Sequence, residues 1–261
     1  NGPMALNKQF PRMLCKSCPG LFRLMITSLL LGLFAAGTVS AQSVLIPSPP
    51  QIAASSFILM APASGRVIME DNSRERLPPA SLTKMMTAYI VERELDEGRI
   101  SMSDMVPISV KAWRTEGSRT FVQEGTEVSV EDLLRGVIIQ SGNDASVALA
   151  EHVAGDESTF AQIMNQQAAE LGMDNTNFTN ATGWPNSEQL TTARDIATLV
   201  RAMIRNYPEY YDFYSQKEFS YAGITQRNRN QLLWRDDSVD GLKTGYTEAA
   251  GYNLVTSAER E

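Results

Sequence analysis

The chain has 261 residues, 43% of them hydrophobic and 20% charged, so it can bury a core and disorder is not the expected state. Its 23 basic residues face 30 acidic ones, a formal net charge of −7, which argues against nucleic acid as a partner. Length alone allows one large domain or two small ones.

Residues 1–41 differ in kind from the rest of the chain. They carry Lys8, Arg12, Lys16 and Arg23 without one acidic residue, then an apolar run over 24–36. That run is shorter than the roughly 18 apolar residues a spanning helix needs, and Val39-Ser40-Ala41 has the small residues a signal peptidase prefers. The reading is a signal peptide cleaved after Ala41, hence export; the alternative is an uncleaved N-terminal anchor. Cys15 and Cys18 both fall inside the leader, which leaves the mature chain without cysteine and makes their C-x-x-C spacing a weak redox or metal signal. Removing the leader leaves 19 basic against 30 acidic residues, a mature charge of about −11.

Residues 42–54, with Pro47, Pro49 and Pro50, read as an extended lead-in, and the fold is expected to occupy 55–261. Strands at 57–61 and 66–70 flank Pro62-Ala63-Ser64-Gly65 as a hairpin. Leu82, Met85, Met86, Tyr89 and Ile90 recur at helical spacing, which predicts a helix over 81–97 stopped by Gly98, with Ser81 in its first turn. Ser129 and Asp132 form a capping-box signal for a helix to about 139. Another helix is expected over 143–153, and Ser141-Gly142-Asn143 is the break between the two. Helices at 158–171 and 192–205 complete a helical lobe. Hairpin strands at 218–221 and 224–227 come next, then strands at 239–247 and 252–257. Strands open and close the chain, which implies an α+β fold: an antiparallel sheet flanked by helices, with a helical insertion lobe.

Three short motifs occur in order: Ser81-Leu82-Thr83-Lys84, Ser141-Gly142-Asn143 and Lys243-Thr244-Gly245. Residues three apart share one helix face, so Lys84 reaches toward the Ser81 hydroxyl. A serine alcohol needs a base to take its proton. Lys84 serves only if burial and a nearby positive charge lower its pKa from about 10.4, and Lys243 is the candidate for that charge. The loop between helices brings Ser141 and Asn143 to the same side. Ser141 would pass a proton to the leaving amine and Asn143 would bond Lys84 or the substrate backbone, though Asn143 also reads as a plain helix N-cap. The third motif lies on an edge-type strand to which an extended peptide can add, with Gly245 leaving room for its approach. The sole histidine, His152, reads as a surface or packing residue, which excludes a histidine triad. With no His-Glu-x-x-His pattern, neither a metal nor another cofactor is expected.

This ordered set resembles the one shared by class A β-lactamases and penicillin-binding proteins. Further matches are Pro79-Ala80, Gln140, Asn228-Arg229-Asn230 ahead of Leu232-Leu233-Trp234, and Asp240-Gly241. Together they make residues from about 57 to 257 similar to the low-molecular-mass penicillin-binding proteins, serine-type D-Ala-D-Ala carboxypeptidases of peptidase S11 type. The resemblance implies a β-lactamase/transpeptidase-like fold and a Ser81 acyl-enzyme that removes the terminal D-Ala from peptidoglycan stem peptides and binds β-lactams covalently. Ser81 is then the nucleophile, Lys84 its base, and Ser141 and Asn143 aids to proton transfer. Lys243 supports the site, Thr244 and Arg229 hold the terminal carboxylate, and the Ser81 and Tyr246 amides form an oxyanion hole. Relatives often have His where this chain has Tyr246, so an altered pH profile or loop packing is expected there. Relatives also continue past residue 261 through the rest of the domain, a β-rich second domain and an amphipathic helix resting on the inner membrane. The chain is therefore expected to be a C-terminally truncated periplasmic enzyme. A D,D-endopeptidase or a non-catalytic peptidoglycan-binding module stays open. Gly142 in place of the Asp of S-D-N disfavours a β-lactamase.

Overall fold

Residues 50–260 are described by a computed structural model. The leader, both cysteines and most of the lead-in lie outside them. From Phe57 the chain makes the expected hairpin, β1 (Phe57–Ala61) and β2 (Arg66–Asp71), with Gly65 at φ 71 closing the turn. A 3-10 turn, Ala80–Leu82, then runs directly into α1 (Thr83–Asp96). Met86, Ala88, Ile90 and Val91 of α1 are all fully buried, so this helix is the axis of the core.

Next come β3 (Met105–Pro107), α2 (Val110–Arg114), β4 (Glu127–Ser129) and α3 (Val130–Arg135). The Ser129 cap accepts from the Asp132 amide at 3.1 Å, as its capping box predicts. The predicted helix to 139 has the right length, but its last turn widens into a π segment, Gly136–Gln140. α4 (Asn143–Ala154) and α5 (Glu157–Leu171) come after it, and Gly172 at φ 77 ends α5. α6 (Ala193–Asn206) is capped by Thr192, whose hydroxyl accepts from Asp195 at 3.0 Å. Its buried residues Ile196, Leu199, Val200 and Met203 recur at helical spacing. α4, α5 and α6 all pack on α1.

α7 (Pro208–Ser215), β5 (Glu218–Tyr221), β6 (Ile224–Arg227), a 3-10 turn over Gln231–Trp234, β7 (Val239–Thr247) and β8 (Gly251–Ala258) complete the described fold. The strands form four separate two-stranded antiparallel ladders, β1–β2, β3–β4, β5–β6 and β7–β8, where the sequence suggested one sheet. β1 packs on α6, while β7 lies along the Ala80–Leu82 turn and α7.

One buried pair ties α1 to α7. The Tyr214 hydroxyl donates to Glu92 Oε1 at 2.8 Å, with Glu92 and Tyr214 each 1% exposed. Burial pushes the Glu92 carboxyl up to about 8. An acid with a raised folded pKa binds its proton more tightly folded than unfolded, so its stabilisation is complete near pH 4.5 and fades as pH rises through about 8. Glu92→Gln keeps a partner for Tyr214 and removes the titration. It is expected to flatten the fall in Tm between about pH 5 and about pH 9, an effect on the order of a few kcal/mol. Parallel Tm–pH curves for parent and variant would refute this.

Candidate active site

Ser81 stands half-buried in the 3-10 turn that begins α1. Lys84, one turn on, is 1% exposed. Its Nζ lies 3.2 Å from Ser81 Oγ and donates to the Thr182 carbonyl at 2.5 Å. Burial holds the Lys84 ammonium well below the usual lysine range. The charges of Lys243 and Arg229 lower it further, against a smaller opposing pull from Asp144. Lys243, on β7, is itself pushed down to about 7, by burial first and then by Arg229. Both lysines therefore lose a proton more readily than an exposed lysine does.

β7 reaches Ser81 at Gly245. A Cβ there would sit 3.0 Å from the Ser81 amide nitrogen and 3.3 Å from Ala80 Cβ. The glycine thus admits the Ser81 turn. Thr244 beside it is half-buried and in register with Leu254. Tyr246 is 55% exposed and its ring packs on Tyr252, ring centroids 4.6 Å apart.

The second motif departs from expectation in detail. Ser141 sits at φ 66 after the π segment, and its buried Oγ has no hydrogen-bond partner among the described residues. Asn143 does not cap α4. Gly142 holds the cap position and Asn143 is the first helical residue. Nor does its amide bond Lys84: Asn143 Nδ2 donates to the Glu116 carbonyl at 2.6 Å, while its backbone N–H donates to Ser118 at 2.7 Å. The 116–118 loop, which comes after α2, holds the Asn143 side chain through its Nδ2. Gly142 replaces Asp for a steric reason, because a Cβ there would lie 2.2 Å from Thr120 Oγ1.

Arg229 is exposed and comes after β6 rather than lying on it. Its neighbours hold it in place. Asn228 Nδ2 donates to Gln216 at 3.0 Å, Asn228 Oδ1 accepts from the Asn230 amide at 2.9 Å, and Asn230 Nδ2 donates to Gly241 of β7 at 2.8 Å. Asn230 thereby ties Arg229 to the strand that carries Lys243.

Two residues escaped the sequence reading. Asp144 is fully buried and accepts from the amides of Thr120, Phe121 and Val122 at 2.8, 2.8 and 3.2 Å, bracing the loop behind Ser141. Gly183, at φ 85, lies so close to the Ser81 turn that a Cβ would be 1.8 Å from the Ala80 carbonyl oxygen. Cavities of about 270 and 360 Å³ adjoin Trp184, the first reaching Ala80 and Thr247, the second Glu116 and Thr182. His152 lies on the last turn of α4, about 13 Å along the helix from Asn143. Among the described residues no cluster of His, Cys, Asp or Glu could hold a metal, and no helix is long and apolar enough to cross a membrane.

A serine paired with a buried, easily deprotonated lysine, on helices packed against an antiparallel ladder, is the arrangement of the penicillin-binding protein fold. Solved structures match it. Penicillin binding protein 5 from Haemophilus influenzae is 46% identical with a TM-score of 0.80, over 82% of this chain and 64% of that one. The D-alanyl-D-alanine carboxypeptidase DacD from Francisella tularensis is 36% identical with a TM-score of 0.81, over 87% and 68%. The chain belongs to the peptidase S11 family, D-alanyl-D-alanine carboxypeptidase, whose model matches residues 43–261. The D-alanyl-D-alanine carboxypeptidase DacC from Escherichia coli is 48% identical over 216 residues, which cover 80% of this chain and 54% of that protein. The chain spans about half the length of the curated relatives it matches.

Proposed function

We propose that the protein is a serine D-alanyl-D-alanine carboxypeptidase of peptidoglycan stem peptides. The observation that carries this reading is the buried Lys84 amine 3.2 Å from Ser81 Oγ. Ser81 Oγ attacks the carbonyl of the penultimate D-Ala while neutral Lys84 takes its proton. The oxyanion is held by the Ser81 and Tyr246 amides. The proton taken up by Lys84 passes through the Ser141 hydroxyl, which has no hydrogen-bond partner among the described residues, to the departing D-Ala amine, so that Lys84 returns to the neutral form and Ser141 keeps its hydroxyl, with Asn143 shaping that side of the cleft. Water then hydrolyses the ester, with Lys84 again the base. Burial, aided by the charges of Lys243 and Arg229, favours the neutral Lys84 amine, and Arg229 with Thr244 grips the terminal carboxylate. A β-lactam acylates Ser81 in the same way. We further infer export by a leader cleaved after Ala41, and a periplasmic site of action at the inner-membrane surface through a C-terminal anchor.

Incubation with a fluorescent penicillin, then mapping of the adduct, is expected to label the Ser81 peptide. A stem pentapeptide is expected to release free D-Ala. Cleavage of cross-linked dimers without free D-Ala would replace this reading with an endopeptidase, and absence of any adduct would leave a binding module.

Arg229→Ala is expected to lower kcat/KM on peptides with a free terminal carboxylate roughly thirtyfold, and far less on the amidated peptide. Removing a cation beside Lys84 also raises the pKa of the base, so the acid limb of the rate profile moves to higher pH. Equal losses on both peptides would make Arg229 scaffold.

A further inference from the structure

Residues 179–184 have no regular secondary structure, yet they track the first turns of α1 closely. Gln189 Nε2 donates to Thr83 Oγ1 at 3.1 Å, Lys84 Nζ donates to the Thr182 carbonyl, and Thr87 Oγ1 donates to the Ala181 carbonyl at 2.8 Å. One side chain folds this loop. Asn180 Oδ1 accepts the backbone N–H groups of Thr182, Gly183 and Trp184 at 3.1, 2.8 and 3.1 Å, and the Thr182 hydroxyl at 3.0 Å. Its Nδ2 donates to the Trp184 carbonyl at 3.0 Å. Gln189, 2% exposed, anchors the assembly by accepting from the Thr179 and Asn180 amides at 2.8 and 3.1 Å.

A neutral primary amine has two N–H groups and one lone pair. Once a carbonyl claims one N–H, the lone pair can be turned on a neighbouring hydroxyl; without it the amine rotates freely about its carbon–nitrogen bond. As the amine gains the serine proton, the same carbonyl stabilises the developing ammonium. We propose that Asn180 is a positioning residue for the reaction: by closing the 180–184 turn on its own side-chain oxygen, it aims the Thr182 carbonyl at Lys84, and that carbonyl orients the amine toward Ser81. The inference rests on Lys84 acting as the base for Ser81.

Penicillin acylation of the parent, Asn180→Ala and Asn180→Asp, measured across pH, tests it. Each reaction is resolved into the affinity of the first complex and the rate constant of the covalent step, with the labelled fraction counted. For Asn180→Ala the covalent step should slow roughly ten- to a hundredfold at the pH plateau, with first-complex affinity within about threefold and a full labelled fraction. Asn180→Asp keeps an oxygen for the same three amides, so its plateau should stay within about threefold of the parent. Its added charge favours the Lys84 ammonium, so its acid limb should move to higher pH. A parental covalent rate in Asn180→Ala overturns the proposal, as does a smaller labelled fraction that still reacts at the parental rate. If Asn180→Ala does not fold, Asn180→Asp decides, and a depressed plateau overturns it. A parent that is not labelled at Ser81 defeats the underlying function instead.

Discussion

Lys84→Arg is expected to react with penicillin at least about a thousandfold more slowly than the parent, although the positive charge is retained, because a guanidinium cannot shed its proton to act as a base. The site magnifies the contrast. Lys84 is buried between the Ser81 hydroxyl and the Thr182 carbonyl, and burial with the neighbouring charges of Lys243 and Arg229 drives it toward the neutral amine. Ser81→Ala, tested beside it, is expected to form no adduct at all. Stopped-flow acylation with mass-spectrometric counting distinguishes the two. Near-parental acylation by Lys84→Arg would remove Lys84 as the base, and an adduct on Ser81→Ala would move the nucleophile elsewhere.

The other large effect is expected at a residue without a side chain. Gly183→Ala places a methyl 1.8 Å from the Ala80 oxygen and 3.1 Å from the Ser81 amide nitrogen, so the turn carrying the nucleophile must shift. A displacement near 1 Å is enough for roughly a hundredfold loss of rate. Gly98→Ala is the control. It shares the positive φ, at 67, but has nothing within 4 Å, so it is expected to lower Tm slightly and leave acylation intact. Parental acylation by folded Gly183→Ala would show that the turn can yield without consequence.

Legibility in the sequence tracks the range of the interactions. Ser81 and Lys84 meet because one helix turn separates them, and helical periodicity exposes that spacing. The caps at Ser129 and Thr192 are equally local. Thr182 and Asn180 lie about a hundred residues from Lys84 in a loop without a period, and only the packing of that loop on α1 reveals them. The true partner of the Asn143 amide, the Glu116 carbonyl, stays hidden because it is a backbone group 27 residues away that leaves no mark in composition. β3 and β4, three residues each, are too short to show alternation. α7 begins at Pro208, a helix-start signal that its run of aromatic residues masks. The four separate ladders escape because strand order is decided by tertiary packing.

Ser141 sits where the fold alone would favour another residue. Its backbone occupies the left-handed region at φ 66, which costs a non-glycine residue roughly 1–2 kcal/mol, and its hydroxyl is sealed away from water without a partner among the described residues. Glycine would relieve both penalties at once. A lineage drifting under pressure for thermal robustness alone would be expected to lose this serine early. A chain that keeps it gives up stability to hold an unpartnered hydroxyl there, and descendants freed from turning over substrate should be recognisable by a glycine at this position before any other part of the site decays.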